Sequence, residues 1–166
     1  MVKGLFFYLS ILFVLIFDQW TKLLVLDHFS HPGESVVLIP DYFSFTYVQN
    51  TGAAFGFMAA ANPAIRVPFF LMVPIVAMVF LGFLYRDLPK GARWRALALG
   101  LVSGGAVGNL IDRIRLGYVV DFLDFHYHTD YAFPAFNVAD SAICVGVAIL
   151  LLSTFMSKEV NAPTPV

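Results

Sequence analysis

The sequence predicts an all-α membrane protein with four transmembrane helices and a small extracytoplasmic β-rich element in the first outer loop. Of the 166 residues, 60% are hydrophobic and only 13% are charged, whereas a soluble domain is about 25% charged. The mean hydropathy is +0.81. Four separate stretches are long and apolar enough to span a bilayer, which takes about 20 residues. The chain therefore lacks the polar exterior that a soluble fold needs.

The four helices are expected at about residues 5–26, 67–85, 94–113 and 136–156. The first starts like a signal peptide, but no small-residue cleavage site follows, so we expect it to be retained. Pro68 and Pro74 in the second are compatible with a membrane helix. We expect residues 1–158 to form one membrane-embedded domain and residues 159–166 to form a disordered tail.

The distribution of Lys and Arg predicts the orientation of the chain. Six basic residues flank one side of the predicted spans and four lie on or near the other: Lys3, Arg86, Lys90, Arg93, Arg95 and Lys158 against Lys22, Arg66, Arg113 and Arg115. The side richer in basic residues is usually cytoplasmic. Both termini are therefore expected inside, with the long connections 27–66 and 114–135 outside.

The first outer connection carries the β-strand signal. From Phe43 to Val48, aromatic residues alternate with mostly polar ones, a period-2 pattern that predicts a strand with one face covered. Asn50-Thr51-Gly52 then indicates a turn. Residues 53–58 are apolar again and are expected at the membrane interface. The second connection contains the run 117–122, to which no strand is assigned.

Polar residues within the predicted helices are concentrated near one end of the bundle. An ionisable side chain at the centre of a membrane helix costs about 2.5–3.5 kcal/mol on insertion scales, so each needs a reason. The inner halves of the helices contain no Asp, Glu, Asn or Gln. The outer ends and the second outer loop carry all of the following: Asp18, Lys22, Asn109, Asp112, Arg113, Asp121, Asn137 and Asp140.

A stripe of small residues leads to this polar level. Gly100, Gly104 and Gly108 follow one another at i,i+4 spacing in the third helix, which allows a neighbouring backbone to approach closely. Asp112 continues the same stripe. Close packing explains the three glycines, but it does not explain Asp112.

Each polar residue taken alone also has a structural interpretation. Asp18 and Lys22 could simply stabilise the bundle as an i,i+4 pair, and Asp112 and Arg113 could orient loops. Asp140 could be a helix-start residue favoured by the dipole. Asp121 could likewise be a solvated loop acid.

Taken together, five short stretches resemble the motifs of the lipoprotein signal peptidase (signal peptidase II) family. They are Asp-Gln-Trp-Thr-Lys at 18–22, Asn-Thr-Gly-Ala-Ala-Phe-Gly at 50–56, Gly-Gly-Ala-Val-Gly-Asn-Leu-Ile-Asp-Arg at 104–113, Val-Val-Asp-Phe at 119–122 and Phe-Asn-Val-Ala-Asp at 136–140. They occur in the family's order over nearly the whole chain, and the length and four-helix topology agree.

The resemblance implies an aspartyl protease of the bacterial inner membrane that uses no metal or other cofactor. Its substrates are prolipoproteins whose lipobox cysteine carries a diacylglyceryl group, and cleavage falls just before that cysteine. The catalytic pair carries over to Asp121 and Asp140. The other motif positions imply residues that bind substrate or order the site: Asn50, Gly52, Asn109, Arg113 and Asn137, with Asp18, Lys22 and Asp112 in support. The family is also inhibited by the cyclic peptide globomycin.

Two carboxylates are chemically sufficient for amide hydrolysis. The reaction needs a base to deprotonate water and an acid to protonate the carbonyl oxygen and then the leaving amine. Two aspartates about 3 Å apart cannot both ionise easily, so they share one proton and supply both functions. Because they titrate as a pair, neither is assigned as the base or the acid.

Other functions fit the sequence less well. A metal peptidase could use Asp124, His126, His128 and Asp130, which alternate along the second loop, but a wet loop is the simpler interpretation. A transporter would explain intramembrane acids, but there is no internal repeat. A structural subunit would leave Asp121 and Asp140 without a role.

The remaining features of the sequence limit the kinds of partner that we expect. A lone Cys144 excludes an intramolecular disulfide framework. It has no histidine partner on any helix and lies deeper in lipid, so we expect it to pack rather than act as a nucleophile. No basic run suggests nucleic acid. Membrane lipid is the expected surrounding, and nothing in the sequence demands more than a monomer.

Overall fold

The computed structural model contains four long α-helices and a small antiparallel sheet. It describes residues 2–52, 58, 61–128 and 131–160, and for residues 155–160 it describes the backbone alone. The helices are α1 (Val2–His28), α2 (Pro63–Asp87), α3 (Arg93–Leu116) and α4 (Val138–Val160). The strands are β1 (Ser35–Ile39), β2 (Phe43–Asn50), β3 (Val119–Tyr127) and β4 (Tyr131–Ala132). Most of residues 53–58 and all of residues 161–166 of the expected tail lie outside the described residues.

All four predicted helices are present, and each extends beyond at least one predicted end. Helix α2 begins four residues early because the Asn62 side chain accepts the Ala64 N–H and Pro63 takes the first helical position. Helix α3 ends where Gly117 adopts a left-handed conformation at φ 81°. By length and composition, α1, α2 and α3 could each cross a membrane, and the described part of α4 contains a shorter apolar helix, Val138–Thr154.

Helix α3 is the central helix, and its small residues contact two neighbours. An added Cβ at Gly100 or Gly104 would collide with the backbone of α1, at Phe7 and Ile11 respectively. Gly105 likewise lies against Ala139 of α4. The predicted glycine stripe therefore brings α1 close to α3, as its spacing indicates.

The outward faces of the helices are apolar, as lipid requires. In α1, Phe13 and Ile16 are 66% and 60% exposed, and in α2 only Phe70 and Leu81 are buried. Exposed aromatic and aliphatic side chains of this kind are costly in water and favourable in hydrocarbon. These surfaces suit a helix bundle that is surrounded by hydrocarbon.

The sheet has the order β1-β2-β3-β4 and is antiparallel throughout. The predicted β-rich element in the first outer loop is present as β1 and β2, but the sheet is not confined to that loop. The second connection supplies β3 and β4, and Asp121 lies in β3 opposite Val48 rather than in a loop. A two-stranded hairpin alone is marginally stable, and the pairing of β2 with β3 adds a third strand that stabilises it.

A small apolar cluster attaches the sheet to the end of α1. Val25 and Phe29 pack with Tyr47 of β2 and with Val120 and Phe122 of β3. Because side chains alternate along a strand, this packing directs Asp121 toward the opposite face, where the ends of α3 and α4 lie. The fold thus brings the connection between α3 and α4 to the polar end of the helices.

Candidate active site

Asp121 is almost completely buried and accepts two side-chain amide hydrogen bonds. It is 1% exposed. Its Oδ1 accepts from Asn137 Nδ2 at 2.7 Å, and its Oδ2 accepts from Asn50 Nδ2 at 2.9 Å. Burial, reinforced by the negative charge of Asp140, raises the pKa of Asp121 from 3.8 to about 7. This carboxyl can therefore hold a proton near neutral pH.

Asp140 lies in the first turn of α4 as one half of a reciprocal helix cap. Its backbone N–H donates to Asn137 Oδ1 at 2.9 Å, and its own Oδ2 accepts the Asn137 N–H at 3.3 Å. This is the geometry of a capping box, with Asn137 as the N-cap. The Oδ1 of Asp140 accepts from Asn109 Nδ2 at 2.7 Å. Helix α4 therefore holds the Asp140 carboxyl in one orientation.

Asn137 connects the two aspartates directly. It caps α4 beside Asp140 and donates to Asp121, and the same amide group approaches Asn109 Oδ1 at 3.1 Å. The two oxygens Asn109 Oδ1 and Asn137 Oδ1 accept other donors, Lys22 Nζ and the Asp140 N–H, so neither amide can be reversed without loss. Asp121 and Asp140, predicted as a pair from distant motifs, are thus joined by a single residue.

The turn that follows β2 is fixed to the same site. Gly52 donates its N–H to Asn50 Oδ1 at 3.0 Å, which directs the Asn50 amide toward Asp121. Arg113 Nη2 donates to the Gly52 carbonyl at 3.1 Å, and Arg113 Nη1 lies 3.4 Å from the Asn109 carbonyl. The guanidinium also lies over the Phe70 ring of α2, 5.2 Å from its centroid.

Behind these residues lies a buried ionic cluster formed by Asp18, Lys22 and Asp112. Lys22 Nζ is 3.0 Å from Asp18 Oδ2, 2.9 Å from Asp112 Oδ2 and 2.9 Å from Asn109 Oδ1. All three ionic side chains are at most 3% exposed. Three acceptors satisfy the three ammonium protons, which is the condition for keeping a lysine charged away from water.

All ten predicted site residues therefore meet in one connected network. Sequence reasoning overlooked Gln19, whose Nε2 lies 3.1 Å from Asp18 Oδ2 and 3.0 Å from Asp112 Oδ1. The only signal for it was its position inside the motif 18–22.

An open groove of about 490 Å³ is lined by Asp140 and by Asn50, whose side-chain amide bonds Asp121. Its polar lining comes from Asn50, Asn109, Arg113, Asp140 and Ser141, and its apolar lining comes from Val119, Phe133, Pro134, Ala135, Phe136, Ile143 and Cys144. A peptide with apolar side chains could lie here with a backbone amide near the carboxyls. Cys144, which was expected to have a packing role, is exposed and lines the groove on its apolar side.

The residues suggested for a metal site are spread over the outer part of the sheet. His126 Nδ1 is 3.8 Å from Asp124, and His128 Nδ1 is 3.7 Å from Asp41. Asp130 lies outside the described residues. Among the described residues, no group of three or more His, Cys, Asp or Glu side chains lies close enough together to hold a metal ion. The arrangement at Asp121 and Asp140 instead provides what an acid–base pair needs: two carboxyls, fixed donors and an adjoining groove.

Comparison with known proteins identifies the family to which the chain belongs. The model of the signal peptidase (SPase) II family matches residues 10–156. The lipoprotein signal peptidase of Geobacter metallireducens is 51% identical over 145 residues, covering 87% of both chains. That of Pseudomonas putida is 48% identical over 152 residues, covering 92% of this chain and 88% of the relative.

Solved structures agree with the sequence relatives. A bacterial membrane enzyme determined by the in meso method at 2.3 Å resolution superposes with a TM-score of 0.82 and 31% identity, covering 96% of this chain and 93% of the other. A second, at 1.9 Å resolution, gives 0.76 and 31%, covering 89% and 90%. The chain belongs to the signal peptidase II family of membrane aspartic endopeptidases.

Proposed function

We propose that this protein removes the signal peptide from bacterial prolipoproteins whose cysteine carries a diacylglyceryl group, cleaving just before that cysteine. Asp121 and Asp140 act as the catalytic dyad. The observation that carries the proposal is the position of Asn137, which donates to Asp121 and caps the helix that presents Asp140. Two acids from separate motifs are thereby held at one groove.

The dyad supplies both proton transfers of amide hydrolysis. One carboxylate takes a proton from water as the water oxygen bonds to the scissile carbonyl carbon, and the carboxylic acid partner protonates the carbonyl oxygen. Collapse of the tetrahedral intermediate breaks the C–N bond, and a proton from the dyad goes to the leaving amine. Because the pKa of Asp121 is raised to about 7, the pair holds the shared proton near neutral pH. No cofactor takes part.

The remaining site residues hold this dyad and the substrate. Asn50, Asn109 and Asn137 donate side-chain N–H groups to the two carboxyls, which fixes them without neutralising them. Arg113 and Gly52 join the first outer turn to α3. Asp18 and Asp112, held by Lys22, support the backbone behind the dyad.

The site is proposed to lie at the outer face of the bacterial cytoplasmic membrane, with four helices spanning it and both termini in the cytoplasm. Two observations support this placement. Lys3 Nζ reaches the carbonyls at the end of α2, among them Leu88 O at 2.6 Å, so the basic segment 86–95 lies near the N-terminus. The dyad lies at the opposite ends of the helices, on the side with fewer basic flanks.

The groove suits a lipid-linked substrate and an apolar cyclic peptide. Its apolar side includes Ile143 and Cys144 on α4, and lipid surrounds such a helix. A diacylglyceryl chain could enter from the bilayer while the peptide bond reaches the dyad. We therefore expect globomycin to compete with the substrate, and a monomer to suffice for activity.

The test is cleavage of a lipidated prolipoprotein by the purified protein in detergent or lipid. Asp121→Asn and Asp140→Asn should each fold and insert but cleave at least roughly a thousandfold more slowly, since either change removes half of the acid–base pair. Globomycin should stop cleavage by the unaltered protein, and a chelator should not.

Asp124→Asn is the matched control. Asp124 lies in the same strand, three residues from Asp121, but its carboxylate accepts from Thr46 on the sheet and does not contact the dyad. This variant should keep nearly full activity. Normal processing by Asp121→Asn or Asp140→Asn would refute the dyad, and loss at Asp124→Asn equal to that at Asp121→Asn would mean that the wrong acid of β3 was chosen.

A further inference from the structure

Two buried carboxylates hold the backbone directly in front of the two dyad residues. Asp18 Oδ1 accepts the N–H of Ala139 at 2.9 Å, and Asp112 Oδ2 accepts the N–H of Val120 at 3.1 Å. Ala139 immediately precedes Asp140, and Val120 immediately precedes Asp121. The distance between Asp18 and Asp112 is therefore transmitted to the dyad through one peptide unit on each side.

The two carboxylates repel each other and need donors between them. Lys22 lies on one side of the pair, bonded to Oδ2 of both. Two carboxylates and one ammonium give the cluster a net charge of −1. Each of the three side chains is at most 3% exposed. Because water cannot screen the repulsion between two such buried carboxylates, a change in their hydrogen-bond donors has a large effect on the distance between Asp18 and Asp112.

Gln19 provides the second bridge. Its Nε2 lies 3.1 Å from Asp18 Oδ2 and 3.0 Å from Asp112 Oδ1, so each amide proton can bond one carboxylate. Gly108 O lies 3.3 Å from the same nitrogen. On its other side, Gln19 Oε1 faces Arg115 Nη1 at 3.5 Å, which favours this orientation of the amide.

We propose that Gln19 is a positioning residue that, with Lys22, sets the spacing of Asp18 and Asp112 and through them the spacing of the catalytic pair. The inference rests on the proposed function of that pair. Gln19 does not line the groove, so it acts on the reaction through Asp18 and Asp112, which hold the backbone of residues 139 and 120.

The neutral amide suits this role better than a second cation would. Lysine or arginine here would bring the cluster to zero net charge and draw both carboxylates toward itself. A glutamine donates two hydrogen bonds and adds no charge, so Asp18 and Asp112 keep their bonds to Ala139 and Val120. Gly108 leaves the room that this arrangement needs, because a Cβ there would lie 2.5 Å from Asp18 Oδ2.

The first test variant is Gln19→Leu, which keeps the approximate size and removes both donors. We expect kcat per folded molecule to fall by roughly tenfold or more, because small displacements of reacting groups are costly. KM should stay within about twofold, since the groove is untouched. A purely structural role would lower the melting temperature or the yield and leave kcat of the folded fraction unchanged.

The second variant is Gln19→Glu, which introduces an acid facing Asp18 and Lys22 on α1 and Asp112 and Arg115 on α3. When ionised it repels both carboxylates, whereas when protonated it donates one hydrogen bond. Its activity relative to the unaltered protein should therefore rise as the pH is lowered. A ratio that stays constant with pH would contradict the positioning role.

Thr21→Val is the matched control on the same helix. The Thr21 hydroxyl bonds only the Phe17 and Asp18 carbonyls of its own helix, so its loss should leave kcat and the pH profile unchanged. The inference on Gln19 is overturned if Gln19→Leu keeps the kcat of the unaltered enzyme. Failure of the proposed function looks different, because then the unaltered protein itself does not cleave, or Asp121→Asn still does.

Discussion

Asn137 donates a 2.7 Å hydrogen bond to Asp121 while its own side-chain oxygen caps α4 at Asp140. One asparagine thereby caps a helix and fixes a proposed catalytic carboxyl, and the two roles can be separated by experiment. Replacement by alanine removes both the cap and the link to Asp121. The fixed amide explains why the two carboxyls stay in register although 19 positions separate them in the chain.

Asn137→Ala should lower kcat by roughly a hundredfold, because Asp121 loses a donor and Asp140 loses its helix cap. It should also lower the free energy of unfolding by about 1 kcal/mol for the lost N-cap, and by roughly 1–3 kcal/mol more for the buried acceptors that lose their donor. Cleavage rates and thermal unfolding in detergent would measure both.

Asn62→Ala provides the comparison that isolates the catalytic part. Asn62 caps α2 through an equivalent bond to the Ala64 N–H at 2.9 Å, and it does not contact the dyad. This variant should lose only the share of stability that a helix cap contributes, about 1 kcal/mol, and keep its kcat. Equal losses of kcat in the two variants would mean that Asn137 acts only through the stability of the helix.

The raised pKa of Asp121 predicts that activity falls as the pH increases through about 7. Burial is the main cause of the shift, with the charge of Asp140 second, and both favour the protonated form. Above this pH the dyad loses its shared proton, so kcat/KM should drop by about tenfold per pH unit. A profile that is flat from pH 6 to 9 would contradict the assignment.

The same shift has a consequence for stability. Because the pKa of Asp121 is higher in the folded protein, the folded state binds more protons than the unfolded state between about pH 4 and pH 7. The contribution of the Asp121 carboxyl to the free energy of unfolding is fully present below about pH 4 and is lost as the pH rises through 7. Asp121→Asn cannot ionise, so its melting temperature should exceed that of the unaltered protein by a margin that widens over this range. A difference in melting temperature that stays constant from about pH 4 to pH 7 would show that Asp121 of the folded protein is ionised over this whole range.

Gly108 offers a steric test of the buried cluster. An added Cβ would lie 2.5 Å from Asp18 Oδ2, which cannot retreat without breaking its bond to Lys22. Gly108→Ala should therefore reduce both stability and cleavage. Gly82 in α2 has open space around it, and Gly82→Ala should raise the free energy of unfolding by about 0.5–1 kcal/mol with activity unchanged. Full activity in Gly108→Ala would mean that the cluster tolerates displacement.

The helices and the clustering of polar side chains at one end of the bundle were predictable because lipid imposes simple rules. Twenty apolar residues form a span, and an acid such as Asp18 within a span needs a partner. Lys22 is one turn away in the same helix, so the pairing could be expected. The meeting of Asp121 and Asp140 came from their motifs, since neither periodicity nor spacing connects β3 to α4.

The rest depended on tertiary contacts that a single sequence does not encode locally. The run 119–127 gave no clear strand signal, because Val119, Val120 and Phe122 are all buried and the alternation is blurred. Its partner, β2, lies some 70 residues earlier. Gln19 was overlooked for a related reason: a glutamine in a helix becomes informative only once Asp112 of another helix is seen beside it.

The two lysines of α1 should differ sharply in what their removal does. Lys3 bonds three carbonyls at the end of α2, and Lys3→Met should cost about 0.5–1 kcal/mol of stability without affecting kcat. Lys22→Met leaves Asp18 and Asp112 buried without a counter-ion, which should cost roughly 3–5 kcal/mol and abolish cleavage.

A triple variant separates charge from geometry in the Lys22 result. When Lys22→Met is combined with Asp18→Asn and Asp112→Asn, the uncompensated charge is gone, so much of the lost stability should return. Cleavage should not return, because the bonds from Lys22 to the two carboxylates and to Asn109 are still missing. Thermal unfolding and prolipoprotein cleavage measure the two effects separately. Recovery of activity along with stability would show that the cluster matters only for folding, and that the dyad does not depend on it for position.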